Sequence, residues 1–322
     1  MSTVIPRAAD AASDDAQTPS PRRPSRVSPA RKAKKRLTSR TASVAALIIA
    51  VLWTVPTLGL FVSSFRPAQE VRTSGWWTIF SNWGLTFDNY SEALAAGNSQ
   101  LNLAGSFFNS LAITLPATLL PLIVASLAAY AFAWIDFRGK NVLFIGVFAL
   151  QIVPIQMALV PLLQFFSRGE IFGFPMVQAL ESGGYAQVWI AHTMFALPLA
   201  IYLLHNFIAE IPAEVIEAAR VDGAGHGQIF FRIVLPLTMP ALASIAIFQF
   251  LWVWNDLLVA LIFADGAVAP MTKLLAELSG SRGQDWHLLT AGAFISILVP
   301  LIVFFALQRY FVRGLLAGST KG

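Results

Sequence analysis

The sequence predicts an all-α membrane protein of about six transmembrane helices with both termini in the cytoplasm, and three observations carry that prediction. Of 322 residues, 56% are hydrophobic and only 12% charged, with a mean hydropathy of +0.66, too apolar and too charge-poor for an ordinary soluble domain. Six stretches meet or approach the roughly 20 apolar residues that a helix needs to cross the hydrocarbon core. Lysine and arginine divide unevenly between the loops on the two sides.

Residues 1–43 are rich in Ala, Ser, Pro, Asp and Arg and hold almost no large apolar side chains, so they are expected to be a disordered basic tail. A cleaved secretory signal is the competing reading of this start. The apolar run that follows is about 22 residues long and lacks a small-residue cleavage site, which makes it a retained first span. The spans are expected at Val44 to Phe65, Phe107 to Ile135, Val142 to Phe166, Ala186 to Ile208, Met239 to Phe263 and Leu288 to Phe311, within a membrane domain of 44–311. One set of loops carries Arg31-Lys32-Ala33-Lys34-Lys35-Arg36, Arg138, Lys140, Arg220, Arg232, Arg309, Arg313 and Lys321. The other offers only Arg66, Arg72, Arg168, Lys273 and Arg282, so the first set is assigned to the cytoplasm.

That assignment makes 66–105 and 264–287 external loops, 209–238 a cytoplasmic loop and 312–322 a cytoplasmic tail. In the first external loop Trp76, Trp77, Phe80, Trp83, Phe87 and Tyr90 alternate with polar and glycine positions, a pattern that suits short helices at a membrane interface. Prolines inside the spans, among them Pro116, Pro121, Pro154, Pro161, Pro198 and Pro300, remove backbone donors and mark either ordinary bundle packing or hinges. The net charge of +5 does not indicate a nucleic-acid surface, because its basic residues sit at span ends and in the tail. With no cysteine, thiolate chemistry and cysteine metal sites are excluded.

The cytoplasmic loop carries the strongest local pattern. Pro212 suits the first helical turn, Glu214 and Glu217 favour the positive end of the helix dipole, Ala218 and Ala219 are strong helix formers, and Gly223 after Asp222 suits a left-handed helix end. A second short helix is expected over about Gln228 to Val234, leading through Leu235-Pro236 back into the membrane. Such a short surface helix is either an interfacial connector or an element inserted into another protein's groove.

Glu217-Ala218-Ala219, three residues, Gly223, nine residues, Ile233, one residue and Leu235-Pro236 together resemble the EAA signature of ABC importer permeases at every defined position and spacing. Phe108-Asn109-Ser110-Leu111, Ala129-Tyr130-Ala131-Phe132-Ala133, Phe137-Arg138-Gly139-Lys140, Trp254-Asn255-Asp256 and the ending Gln308 to Gly318 are similar to carbohydrate-uptake permeases of the maltose type. The resemblance covers roughly 44–322 and implies the type I importer permease fold in a prokaryotic cell membrane. It further implies a second related permease, a dimer of ATP-binding subunits that uses ATP and Mg, an extracytoplasmic solute-binding protein and a carbohydrate substrate, with di- and oligosaccharides such as α-glucosides in view. On that analogy Glu214, Glu217, Ala218, Ala219, Asp222, Gly223, Ile233, Leu235 and Pro236 form the ATPase-coupling element, with no cofactor bound by this chain.

No G-x-x-x-x-G-K-[ST] phosphate loop is present, nor H-E-x-x-H or G-x-S-x-G, so the chain is read as a transporter subunit without its own ATPase site. The rival readings are an ion-coupled secondary transporter, for which Asp256 and His192 are the plausible intramembrane groups, and a permease for a non-sugar solute. Candidate pathway residues are Asn109, Gln151, Gln156, Gln249, Trp254, Asn255 and Asp256, since polar groups in spans are expected to face the bundle interior. Interhelical hydrogen bonding is the alternative role for each of them.

Overall fold

A computed structural model describes residues 40–94, 102–168, 170–171, 174–175, 184–280 and 282–317, with side chains described except at 40, 167–183 and 308–317. The chain divides into two units, 1–55 and 56–322. Most of the expected N-terminal tail, and the last five residues of the expected C-terminal tail, lie outside the described residues. At both boundaries helix extends further than expected: α1 begins at Arg40, inside the expected tail, and the last helix continues to Ala317.

The described helices are α1 (Arg40–Ser64), α2 (Ala68–Thr73), α3 (Asp88–Leu94), α4 (Leu103–Trp134), α5 (Lys140–Ala149), α6 (Ile155–Arg168), α7 (Tyr185–Ala209), α8 (Ala213–Val221), α9 (His226–Ile229), α10 (Leu235–Trp254), α11 (Leu258–Phe263), α12 (Met271–Ser279) and α13 (Trp286–Ala317). Glu170–Ile171 and Phe174–Pro175 form a two-residue antiparallel pair, the one sheet among the described residues. Among the described residues five helices are long and apolar enough to cross a membrane, and α5 with α6 makes a sixth span if the bent pair is counted as one.

Small side chains set the centre of the bundle. Along α4 the buried positions Ser106, Ser110, Thr114, Ala117, Thr118, Ala125 and Ala129 recur every three or four residues, while Phe108, Leu115, Leu119, Ile123 and Leu127 point outward. The small stripe lets backbones approach closely, which in lipid replaces the hydrophobic drive as the source of helix association. α7 answers with buried Ala191, Ala196 and Ala200, and α4 with α7 is the most extensive helix pair.

Two expected spans depart from a straight helix. The third bends by 105° between α5 and α6. Pro154 is the cause: it lacks a backbone donor, and it holds Val153 extended at φ −71°, ψ 120°. The fifth starts well before Met239, because α9 runs through a π turn at Phe230–Val234 directly into α10, and it ends at Trp254 rather than Phe263. The short helix expected over about Gln228 to Val234 is therefore not separate from the span that follows Leu235-Pro236. A helical proline ring crowds the carbonyl four residues back, and for Pro236 that residue, Arg232, lies inside the wider π turn, so the helix passes the proline without stopping.

Trp254-Asn255-Asp256 explains the other end. Trp254 donates its indole N–H to Ser296 O on α13 (3.1 Å), Asn255 donates back to Leu251 O (2.7 Å), and Asp256 Oδ2 accepts from Val259 N (3.0 Å) and Ala260 N (3.2 Å) at the start of α11. The motif therefore anchors, ends and restarts a helix, with side chains supplying the partners that the backbone loses at the break.

The segment after α1 folds around Arg66, which is 1% exposed. Its guanidinium donates to Thr78 Oγ1 (2.9 Å) and Ser74 O (3.2 Å) and pairs with Glu70 at 3.5 Å, while Asn89 donates to Ser64 O and Arg66 O. A buried cation is tolerated only with such partners. As expected for this loop its helices are short, and Trp77, Phe80, Trp83 and Phe87 are exposed on it.

Asp256→Ala is expected to lower stability by about 1 kcal/mol through loss of the α11 cap, whereas Asp256→Asn keeps an acceptor and most of that stability. Thermal unfolding of the purified protein in detergent checks the pair, and equal midpoints for Ala and wild type would remove the capping role.

Candidate functional site

α8 begins after Pro212, with Glu214 in its first turn and Arg220 in its last, charges placed favourably on the helix dipole. Its one buried side chain anchors it inward: Ile216, 1% exposed, sits in an apolar cluster with Ala129, Leu204, Ile208, Ile229 and Val234. Ala219 packs against the same cluster, so only Ala218 of the alanine pair faces outward, and the two do not form one small outer face. The outward face carries Glu214, Glu217, Ala218 and Val221, the last 87% exposed. An isolated valine this exposed beside two carboxylates makes a knob rather than a packed helix side.

The helix end is built as expected. Gly223 has φ +82°, Gly223 N donates to Arg220 O (3.0 Å) and Ala224 N donates to Ala219 O (2.9 Å), the paired bonds of a Schellman ending. A Cβ at Gly223 would meet nothing within 4 Å, so the glycine is required by backbone conformation and not by space. Gln228 Oε1 then accepts from Gly225 N (3.2 Å) to open α9. Ile233 and Leu235 are half-buried and Pro236 is exposed.

The candidate pathway residues separate into two groups. Gln151 and Gln249 line a cavity of about 510 Å3 between the α5–α6 bend, α7 and α10, beside Phe195, Phe248 and Trp252. Gln249 also donates to Ala117 O on α4 at 3.1 Å. Aromatic walls with a few amides are suited to a polar, ring-shaped solute. Asn109, Trp254, Asn255 and Asp256 are instead engaged in the fold: Asn109 donates to Ala267 O (2.8 Å) and Ala269 O (3.0 Å) and accepts from the Tyr185 hydroxyl. Gln156 is exposed on α6 and does not line the cavity.

His192, 1% exposed on α7, lies with Nε2 3.7 Å from Asp256 Oδ2 and edge-on to Trp252. The two groups singled out as intramembrane ionisable residues are therefore neighbours, and the carboxylate oxygen nearest the imidazole is the one that caps α11. Phe195 and Phe248 complete the cavity wall with the glutamines, and no motif in the sequence singles them out. Their signal was aromatic residues near Gln249, legible only with the helix faces known.

Residues 121–316, which include the α8 loop, the cavity-lining helices and α13, match the family described as binding-protein-dependent transport system inner membrane component. The chain belongs to this family. An osmoprotective-compound uptake permease of Synechocystis is 51% identical over 86% of this chain and 91% of its own length. An alpha-glucoside transport system permease of Rhizobium meliloti is 54% identical over 74% of this chain and 60% of its own length. A melibiose/raffinose/stachyose import permease of Bacillus subtilis is 33% identical over 88% of this chain. The fold is also that of a bacterial ABC transporter involved in alginate import, with a TM-score of 0.62, 21% identity, and coverage of 85% of this chain and 98% of that one. The inner-membrane component is thus a multi-span transport subunit, and its α8 loop and cavity lie within the part that defines the family.

Gly223→Val is expected to cost about 1–2 kcal/mol by forcing a β-branched residue into a left-handed turn, and Gly223→Asn much less. Unfolding of the two variants in detergent tests this; equal losses would mean that the turn imposes no such constraint.

Proposed function

We propose that this permease subunit carries a di- or oligosaccharide, α-glucosides foremost, across the cell membrane with energy from a separate ATPase that receives the outer face of α8. The observation that carries the reading is the geometry of that face: two carboxylates, an exposed Val221 and a rigid left-handed ending on a helix whose other side is seated on the bundle through buried Ile216. Carboxylates on a projecting helix suit a groove lined with basic side chains, and the apolar knob suits its floor. Arg138, Lys140, Arg220 and Arg232 flank this end of the bundle, which supports a cytoplasmic assignment for it and for both termini.

The chain has no phosphate loop, so ATP and Mg belong to a dimer of partner ATP-binding subunits. ATP-driven closure of that dimer moves α8, and the helices on either side of it alternate the cavity between the two membrane faces. A second related permease completes the pathway, and an external binding protein delivers the solute. The names of the Rhizobium and Bacillus relatives support a saccharide, and that of the Synechocystis relative makes a compatible solute the alternative. Proton or ion coupling through Asp256 is disfavoured because both backbone donors at the start of α11 depend on its carboxylate.

In proteoliposomes holding the assembled transporter, Glu217→Lys is expected to reduce ATP-dependent uptake by about tenfold or more through loss of a charged contact, with membrane insertion unchanged. Unchanged uptake after Gly223→Arg would sink the coupling role, and uptake driven by a proton gradient without ATP would favour the secondary-transporter reading. Because the chain has no cysteine, Glu217→Cys provides a single crosslinking site for the ATPase. Trp252→Ala is expected to raise the saccharide concentration for half-maximal uptake by about tenfold through loss of a stacking wall. No change in that concentration would remove the cavity from the pathway.

A further inference from the structure

The loop is joined by the chain to α7 and to the α9–α10 run, yet its polar side chains reach a third helix. Tyr130 Oη lies 3.0 Å from His226 Nδ1, and the tyrosine ring packs on Phe230 at 5.4 Å. Arg220 Nη2 donates to the carbonyl of Trp134, the last residue of α4, at 3.2 Å, and Trp134 Nε1 donates to Ile208 O at 3.3 Å. The last carbonyls of a helix have no partner within it and attract cations, so Arg220 completes α4 as well as the loop. These bonds join residues 96, 86 and 74 positions apart, so chain connectivity does not account for them.

The opposite end of α4 is fastened too. Asn109 holds the carbonyls of Ala267 and Ala269, and Ser110 Oγ accepts from Met271 N at 2.8 Å, tying α4 to the 264–271 segment. Both fastenings sit on one continuous helix of 32 residues, with Asn109 and Trp134 about 25 positions, or about 37 Å, apart along it. The alternation Ala129-Tyr130-Ala131-Phe132-Ala133 now has a physical reading. Ala129 lets α4 approach its neighbours, while Tyr130 and Phe132 turn into the cluster that holds Ile216.

We propose that Tyr130, Trp134 and Arg220 are positioning residues that latch the α8 loop to α4, so that displacement of α8 is delivered along α4 to the 264–271 segment at the far end of the bundle. This rests on the reading that α8 receives the ATPase. The latch sets the ratio of solute moved to ATP hydrolysed rather than ATPase binding, and by reciprocity it carries the state of the far segment back to the loop.

The test uses the complete transporter, with its second permease, ATPase and binding protein, in proteoliposomes containing Tyr130→Phe, Arg220→Gln and the double variant. Docking is followed in a separate preparation of each variant by Val215→Cys crosslinking to the ATPase, which leaves the Glu217 carboxylate in place. Tyr130→Phe keeps the ring and removes one hydrogen bond, so folding and assembly are retained. The expected result is a roughly fivefold or greater fall in solute transported per ATP in the double variant, with basal hydrolysis within about twofold of wild type and full crosslinking. His226→Ala added to Tyr130→Phe should lower the ratio no further, since both remove the same bond. An unchanged ratio with crosslinking intact overturns the latch alone, as does strict additivity of Tyr130→Phe and His226→Ala. Absence of crosslinking in wild-type background overturns the docking of α8 and the latch with it.

Discussion

The close approach of α4 and α7 is the interaction on which the rest of the structure depends. In lipid, apolar side chains gain nothing by leaving the bilayer for each other, so contact must come from dispersion between surfaces that fit. A stripe of serine, threonine and alanine on α4 meets alanines on α7 and allows that fit. Large residues at those positions would hold the helices apart, and the apolar cluster that receives Ile216 from α8 would have no walls. The position of the proposed coupling face is thus a consequence of small residues elsewhere.

A second constraint is that every backbone polar group buried in the bundle needs a partner where the chain departs from helix. At three departures the molecule meets it with side chains. Asn102 accepts from Gly105 N to open α4, Asp256 caps α11, and Asn255 returns to Leu251. This is why most polar residues in the spans proved to be occupied. A hydrogen-bonding side chain in a membrane helix answers first to the backbone, as Gln249 does with Ala117 O, and Gln151 and Gln249 are placed to meet a solute because they also line the cavity.

The α8 loop combines stiffness with projection. Its ending is specified by the Gly223 turn and its inner side by Ile216, while the carboxylates and Val221 remain outside. A lever has to be rigid toward the machine it moves and exposed toward the one that drives it. The loop has both properties, and the bonds from Arg220 and His226 to α4 extend the rigid side beyond the helices that the chain joins.

By itself the sequence determined what depends on neighbours within a turn or two: the apolar spans, the short helix of Glu217-Ala218-Ala219 and the left-handed residue that ends it. Those features follow from local sterics, donor loss and hydropathy, so they are legible without a fold. The tertiary structure decided what depends on distant partners. Asn109 finds carbonyls 158 and 160 residues away, Trp254 finds one 42 residues away, and Tyr130 finds His226 across 96. No periodicity encodes such pairs, because which polar group is consumed and which is left free depends on how helices rotate about their axes when their small faces meet. For the same reason the short helix expected over about Gln228 to Val234 and the span expected from Met239 became one continuous helix through a π turn.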